Sequence, residues 1–159
     1  MKLGIFLPVM AGLAAPLLIG AAAAPVAASG CTGTASNTRL YVKVDGIQAS
    51  QGLIAVTLYE DDSSRFLARR GSLYVGRVPA RAPSTRVCIH VPRPGTYALA
   101  VYHDADANRR FNRTGVGMPA EAYGFSNNPP TLFGLPRFSS VRIVVPRTNM
   151  QTTIRLVYP

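Results

Sequence analysis

RVCIHVPRPGTYALAVYH, residues 86–103, carries the clearest structural signal of the chain. In its first part, apolar side chains recur at every second position, at Val87, Ile89 and Val91. A turn with two prolines and a glycine follows, and residues 96–103 continue as a run rich in β-branched and aromatic residues. Because successive side chains of a strand point to opposite faces, this pattern predicts two antiparallel strands that each bury one face.

Further segments with strand character complete the fold prediction; they are residues 40–45, 53–60, 73–78, 138–145 and 152–158. A short helix is predicted only at residues 61–70, where acidic cap residues precede Phe66 and Leu67 and Gly71 follows. The expected fold is all-β, an antiparallel two-sheet sandwich of transthyretin or immunoglobulin type, with about seven strands, one long ordered loop and at most one short helix. A small barrel, which buries alternate residues in the same way, is the alternative.

The N-terminal segment has the composition of a secretion signal. Lys2 supplies a positive charge, and an apolar segment and a run of small alanines suited to cleavage come after it. We therefore expect an exported protein, periplasmic or extracellular, with no transmembrane segment in the mature chain; an uncleaved N-terminal anchor is the alternative. The expected organisation is signal peptide 1–28, flexible lead 29–38 and a single β-sandwich domain 39–159.

The chain is strongly basic, with 17 Lys and Arg residues against 7 Asp and Glu residues and a net charge of +10. Such a charge attracts phosphate and carboxylate groups, so the expected partner is an anionic cell-envelope component or a polysaccharide. Expected export argues against nucleic acid as a partner. Because the arginines stand singly among apolar residues and form no block, a solvated basic surface without a dedicated partner is the alternative.

The two cysteines, Cys31 and Cys88, both lie in the part of the chain expected to be exported, where disulfides persist. Cys88 alternates with Val87 and Ile89, so its side chain should leave the outer face of its strand. An N-terminal segment laid across that face would bring Cys31 to it, and we predict a disulfide. Lipidation of Cys31 is the alternative, because the residues before it loosely resemble a bacterial lipobox.

The long segment from His103 to Asn128 has acidic and amide residues at alternating positions, the oxygen-ligand pattern of a calcium loop. Arg109 stands where such loops need a glycine, and Gly115 stands where they have a bidentate glutamate. Glu121 is a possible source of the missing carboxylate. Alternatively, the side chains make turn hydrogen bonds without any metal. The candidate calcium ligands are Asp104, Asp106, Asn108 and Asn112.

The same segment combines acidic, aromatic and amide side chains that are suited to a ligand site. A structural role is the alternative, with the aromatic residues plugging one end of the sandwich and Asn127 and Asn128 bonding to free backbone groups. A hydrolase would use His103 with Asp104 or Glu121. No glycine-framed nucleophile turn occurs, so a non-enzymatic binding or structural module is expected. The candidate ligand-binding residues are His103, Asp104, Glu121, Tyr123, Phe125, Asn127 and Asn128.

Two motifs, GTYALAVYHDADAN at residues 95–108 and GMPAEAYGFSNN at residues 117–128, resemble an uncharacterised bacterial secreted family, domain of unknown function 2141. The resemblance extends over about residues 40–158, and it implies an exported β-domain without an established activity. The chain differs from the family pattern where Arg109 follows Asn108, since a glycine is usual there. The matching positions are Gly117, Pro119, Glu121, Tyr123, Gly124, Phe125, Ser126, Asn127 and Asn128.

Overall fold

The computed structural model describes residues 30–131, 135–147 and 149–159, so the predicted signal peptide lies outside the described residues. Within these ranges the chain forms strands and a single helical turn, as the sequence predicts for an all-β protein. The elements are β1 Thr38–Asp45, β2 Leu53–Glu60, β3 Tyr74–Pro79, β4 Ser84–Val91, β5 Gly95–Asp104, β6 Tyr123–Phe125, α1 Phe138–Val141, β7 Arg142–Val145 and β8 Met150–Arg155.

The strands form two sheets, and the two-sheet sandwich is confirmed. One sheet has the order β4-β1-β8, and the other has the order β3-β2-β5-β6, with β7 also paired to β5. Strand β5 is central: β2 covers one edge, while β7 and β6 share the other edge in succession. The predicted sandwich is antiparallel, and among the named strands the pairing differs from this between β1 and β8, which run parallel.

The core lies between the sheets and is built from the alternating apolar positions. Leu40, Val42 and Val44 of β1 are fully buried, and so are Leu58 of β2 and Leu99 of β5. Full burial of one such side chain contributes about 1.5–3 kcal/mol relative to exposure. The alternation that predicted the strands therefore also sets which face of each strand is turned inward.

The predicted disulfide is confirmed on the outer face of the three-stranded sheet. Cys31 and Cys88 are bonded, with their Cα atoms 4.5 Å apart. The segment expected to be a flexible lead is paired here with β4: the N–H of Thr32 donates to the oxygen of Cys88 at 2.9 Å, and the N–H of His90 donates to the oxygen of Thr32 at 2.8 Å. The disulfide thus joins the start of the domain to β4.

Two local predictions are wrong. Residues 61–70 form consecutive turns instead of a helix, because Leu67 and Arg70 adopt positive φ angles of 57° and 61° that interrupt a helical path. The segment predicted as a strand at residues 138–145 begins with the helical turn α1 and is extended only from Arg142. In that turn Phe138 and Val141 are three residues apart, so they lie on one side and pack together on the five-stranded sheet.

Candidate functional site

The segment from His103 to Asn128 is folded back onto the five-stranded sheet. Its final part is strand β6, in which Tyr123 pairs with Tyr102 and Phe125 pairs with Ala100. Backbone hydrogen bonds between Tyr123 and Val157, at 3.0 and 2.8 Å, also tie it to the chain after β8. The segment therefore has fixed ends on both sides of its polar turn.

His103 does not face solvent. His103 is only 3% exposed, and its side chain lies on the face of β5 that is turned towards the other sheet. The ring atom Nε2 lies 2.7 Å from the backbone oxygen of Gln51, and a carbonyl oxygen can only accept, so Nε2 carries a proton. The His103 N–H donates to the oxygen of Ala122 at 2.9 Å. These contacts make His103 a connection between the segment and the residues just before β2.

Asp104 ends β5 and shapes the polar turn that follows. Its carboxylate is fully buried and accepts hydrogen bonds from the N–H of Asn108 at 3.0 Å and the N–H of Arg109 at 2.8 Å. Ala107 and Arg109 have positive φ angles of 56° and 64°, and these turn the chain around the carboxylate. Arg109 therefore adopts the left-handed conformation for which a glycine is usual at this position.

Asp106 and the two asparagines form a side-chain network on the exposed side of this turn. Asp106 Oδ2 accepts from Asn108 Nδ2 at 2.7 Å and from Asn112 Nδ2 at 3.0 Å. Asn108 Nδ2 also donates to Asn112 Oδ1 at 3.0 Å. The turn hydrogen bonds expected as the alternative to a metal site are thus present.

Glu121 comes from the far end of the segment and closes the turn. Its side chain is buried, with the residue 7% exposed, and Oε2 accepts from the N–H of Asn112 at 2.9 Å. Oε1 is buried and makes no hydrogen bond of normal geometry among the described residues, although the N–H of Ala105 lies near the carboxylate. Burial raises the pKa of the Glu121 carboxyl and the negative charges of Asp104 and Asp106 raise it further, whereas the N–H groups of Asn112 and Ala105 act in the opposite direction.

Three carboxylates meet at this point. One ligand oxygen each from Asp104, Asp106 and Glu121 lies within 4.8 Å of the others. We call these three residues the acidic cluster. In this cluster, carboxylate oxygens from distant positions of the segment converge.

An aromatic pocket lies beside the acidic cluster on the outer face of the five-stranded sheet. Its floor is the register pair Thr57 and Ala100, whose short side chains leave a depression of about 270 Å³ among larger residues. Rings surround the floor, with centroid distances of 5.5 Å for Tyr102 to Phe111 and 6.1 Å for Phe111 to Tyr123. The aromatic and charged side chains of the lining are Tyr59, Tyr102, Phe111, Arg113, Tyr123 and Phe125.

Five of the seven candidate ligand-binding residues thus fall into three groups. Tyr123 and Phe125 line the pocket, Asp104 and Glu121 belong to the acidic cluster, and His103 faces the interior. Sequence reasoning missed Tyr102, which the alternation along β5 places on the outer face.

Asn127 and Asn128 bond to backbone. Asn127 Nδ2 donates to the oxygens of Ser140 and Arg142 at 3.1 and 2.8 Å. Asn128 Nδ2 donates to the oxygen of Thr153 at 3.0 Å, and its Oδ1 accepts from the N–H of Arg155 at 2.7 Å. These bonds agree with the plug expected as the alternative role for the two asparagines.

In the part of the chain that the structure covers, no helix has the length and apolar character needed to cross a membrane. No curated protein and no solved structure matches the chain significantly. Residues 42–154 match the family model described as an uncharacterized protein conserved in bacteria, DUF2141. The match takes in every strand except the ends of β1 and β8, together with the acidic cluster and the pocket, and so the chain belongs to this family.

Proposed function

We propose that the protein is an exported, non-enzymatic binding module, and that it binds a sugar unit of an acidic polysaccharide in the aromatic pocket. The observation that carries this proposal is a cavity of about 270 Å³ lined by five aromatic side chains and an arginine. The volume is near the lower end for small-molecule sites, about 300 Å³, which suits a single sugar ring. Export is supported by the disulfide, which persists in oxidising compartments.

The chemistry of the pocket suits a sugar ring. Aromatic faces supply apolar contact for the C–H side of such a ring, and tyrosine hydroxyls supply hydrogen bonds at its edge. Tyr102 and Tyr123 are directly opposite each other on neighbouring strands, so they stand side by side on the outer face. Their position on paired strands makes this wall rigid, and a rigid wall lowers the entropic cost of binding.

Arginines near the pocket favour a negatively charged ligand. Arg113 lies with its guanidinium carbon 5.2 Å from the centre of the Phe111 ring and donates to the oxygen of Gly117 at 2.9 Å. Arg77 lies beside the Tyr102 hydroxyl. Together with the net charge of +10, these groups favour a carboxylate-bearing sugar over a neutral one.

We do not propose a hydrolase. Nε2 of His103 is bonded to the oxygen of Gln51, and both oxygens of Asp104 accept backbone N–H groups. A general base must reach the proton that it removes, and these groups are turned towards the protein. A binding role needs only the pocket and its rim.

The test is calorimetric titration with an oligogalacturonide and with a neutral galactan fragment of the same length. We expect tighter binding of the acidic chain. Tyr123→Ala should weaken it by about tenfold or more, since loss of a buried aromatic contact costs over about 1.4 kcal/mol. Tyr41→Ala is the matched control, because Tyr41 is half-buried on the other sheet.

A second pair of variants tests whether the pocket prefers a charged ligand. Arg113→Gln should reduce the preference for the acidic chain, while Arg86→Gln, at an exposed position of β4, should leave it unchanged. Absence of binding to either saccharide, or equal binding by wild type and Tyr123→Ala, would contradict the proposal.

A further inference from the structure

We infer that Asp104, Asp106 and Glu121 form a calcium site at the base of the loop. The three side chains come from the end of β5, the turn after it and the residue two positions before β6. One oxygen of each lies within 4.8 Å of the other two. This separation allows a single cation to touch all three, because Ca²⁺ lies about 2.3–2.6 Å from its oxygen ligands.

The charge of the cluster is not balanced by the protein. The chain has 17 basic residues and only 7 acidic ones, so an acidic side chain has many possible basic partners. Of the four acidic residues outside the cluster, three form ion pairs within the described residues and Asp62 does not; the pairs are Asp45 with Lys43, Glu60 with Arg65 and Asp61 with Arg142. Among the described residues, no ion pair involves a member of the acidic cluster. Three neighbouring carboxylates without a counter-charge repel one another, and a divalent cation removes this repulsion.

A second observation concerns a member of the same cluster. Oε1 of Glu121 is buried and makes no hydrogen bond of normal geometry within the described residues, whereas Oε2 of the same carboxylate accepts the N–H of Asn112. An unpaired buried charge is expensive, and buried charges in proteins are normally paired or bound to a metal. Since this oxygen belongs to one of the three clustered carboxylates, a bound cation explains both observations at once.

The donor set selects the class of cation. The cluster offers carboxylate oxygens and no sulfur, and the His103 ring is bonded to Gln51 on the inner side of β5. Hard cations such as calcium prefer oxygen ligands, whereas zinc and copper favour nitrogen and sulfur. Asp106 is exposed, which gives the ion a path of entry and room for water ligands. Calcium is favoured over magnesium because it accepts irregular arrangements of six to eight oxygens.

The inferred ligand set differs from the pattern that the sequence suggests. Asn108 and Asn112 donate from their Nδ2 groups to the Asp106 carboxylate. They therefore position that carboxylate and are not counted among the calcium ligands. Glu121 takes the place of the bidentate glutamate that is missing at Gly115. Arg113 is directed at Phe111 and the oxygen of Gly117, and so its charge is engaged away from the cluster.

The test is calorimetric titration of the mature, disulfide-intact protein with calcium chloride, with no saccharide present. We expect one calcium ion per chain and a calcium-dependent rise in Tm, since a ligand that binds only the folded state stabilises it. Glu121→Gln and Asp106→Asn should each weaken calcium binding by at least about tenfold, because each removes one charged ligand. Glu60→Gln is the matched control, since Glu60 lies outside the cluster in an exposed ion pair.

Circular dichroism shows whether each variant is folded. Because Asp106 is exposed, Asp106→Asn leaves the buried carboxylates of Asp104 and Glu121 in place. The inference is overturned if the wild-type protein shows neither binding heat nor a Tm shift at millimolar calcium. It is also overturned if folded Asp106→Asn binds calcium as tightly as wild type. Because the titration uses the metal alone, its outcome is independent of whether the pocket binds a saccharide.

Discussion

The N–H of Asn112 donates a 2.9 Å hydrogen bond to Oε2 of Glu121, and this contact connects the acidic cluster to the aromatic pocket. Phe111 is the residue before Asn112, and its ring packs against Tyr102 and Tyr123 at centroid distances of 5.5 and 6.1 Å. The position of one pocket wall therefore depends on how the cluster holds Asn112.

This coupling predicts that calcium strengthens saccharide binding. Occupied by a cation, the cluster repels an acidic ligand less and fixes Phe111 more firmly, so the affinity for oligogalacturonide should rise by about fivefold or more. The measurement is a saccharide titration in calcium and in EDTA. In Glu121→Gln, at a calcium concentration that fills only the wild-type site, EDTA should make no difference; an EDTA effect of wild-type size in that variant would contradict the coupling.

A second prediction concerns Ser126, which is fully buried behind the pocket. Its hydroxyl donates to the oxygen of Val141 and accepts the N–H of Leu99 at 3.0 Å. Ser126→Ala leaves both groups unpaired in the interior and should lower the free energy of unfolding by about 1–3 kcal/mol. Urea denaturation measures the change. Ser140→Ala, at an exposed hydroxyl, is the control and should stay within about 0.5 kcal/mol.

A third prediction concerns Gly52, which contacts the end of β5. It has a φ of +74°, and a Cβ built on it would lie 2.1 Å from the oxygen of Asp104. Gly52→Ala should therefore cost more than about 2 kcal/mol of stability and disturb the cluster, because backbone cannot yield as a side chain does. Gly115→Ala is the control, since a Cβ there would meet nothing within 4 Å. A thermal scan of both variants measures this; equal Tm values would be evidence against the close approach.

A fourth prediction concerns the disulfide. Its cysteines are 57 residues apart in the sequence, and removal of the bond restores freedom to the unfolded chain. The double variant Cys31→Ser and Cys88→Ser should be less stable by about 2–4 kcal/mol on the chain-entropy model. Because the bond lies on the outer face of the sheet opposite the pocket, calcium and saccharide affinities of the folded variant should be unchanged. Urea denaturation and repeated titrations measure both effects.

The sandwich follows from the sequence because alternate apolar residues of its strands form the core between the sheets. Strand β2 has the predicted bounds, Leu53–Glu60, and the outward direction of Cys88 was enough to predict its disulfide. The parallel pairing of β1 with β8 depends on where the chain returns after a long connection, and a single strand's pattern holds no such information. The helical turn at Phe138 forms because two apolar side chains meet a second cluster around Phe125.

The candidate site was predictable only where its residues are close together in the sequence. Asp104 and Asp106 are close in sequence, and their spacing indicated an oxygen-rich turn. The approach of Glu121, in contrast, depends on a fold that brings back a residue 15 positions after Asp106. The pocket combines Thr57, Ala100 and Phe111 from three parts of the chain, so its shape arises only from strand register.

The central claim is that the segment from His103 to Asn128 is a folded part of the domain, held by the carboxylates of Asp104 and Glu121. Amide hydrogen exchange tests it most directly, because the N–H groups of Arg109 and Asn112 donate to those two carboxylates. We predict slow exchange at both amides in the free protein and slower exchange with calcium. Exchange at the rate of an unstructured peptide at both positions, while the β5 amides remain protected, would contradict the account.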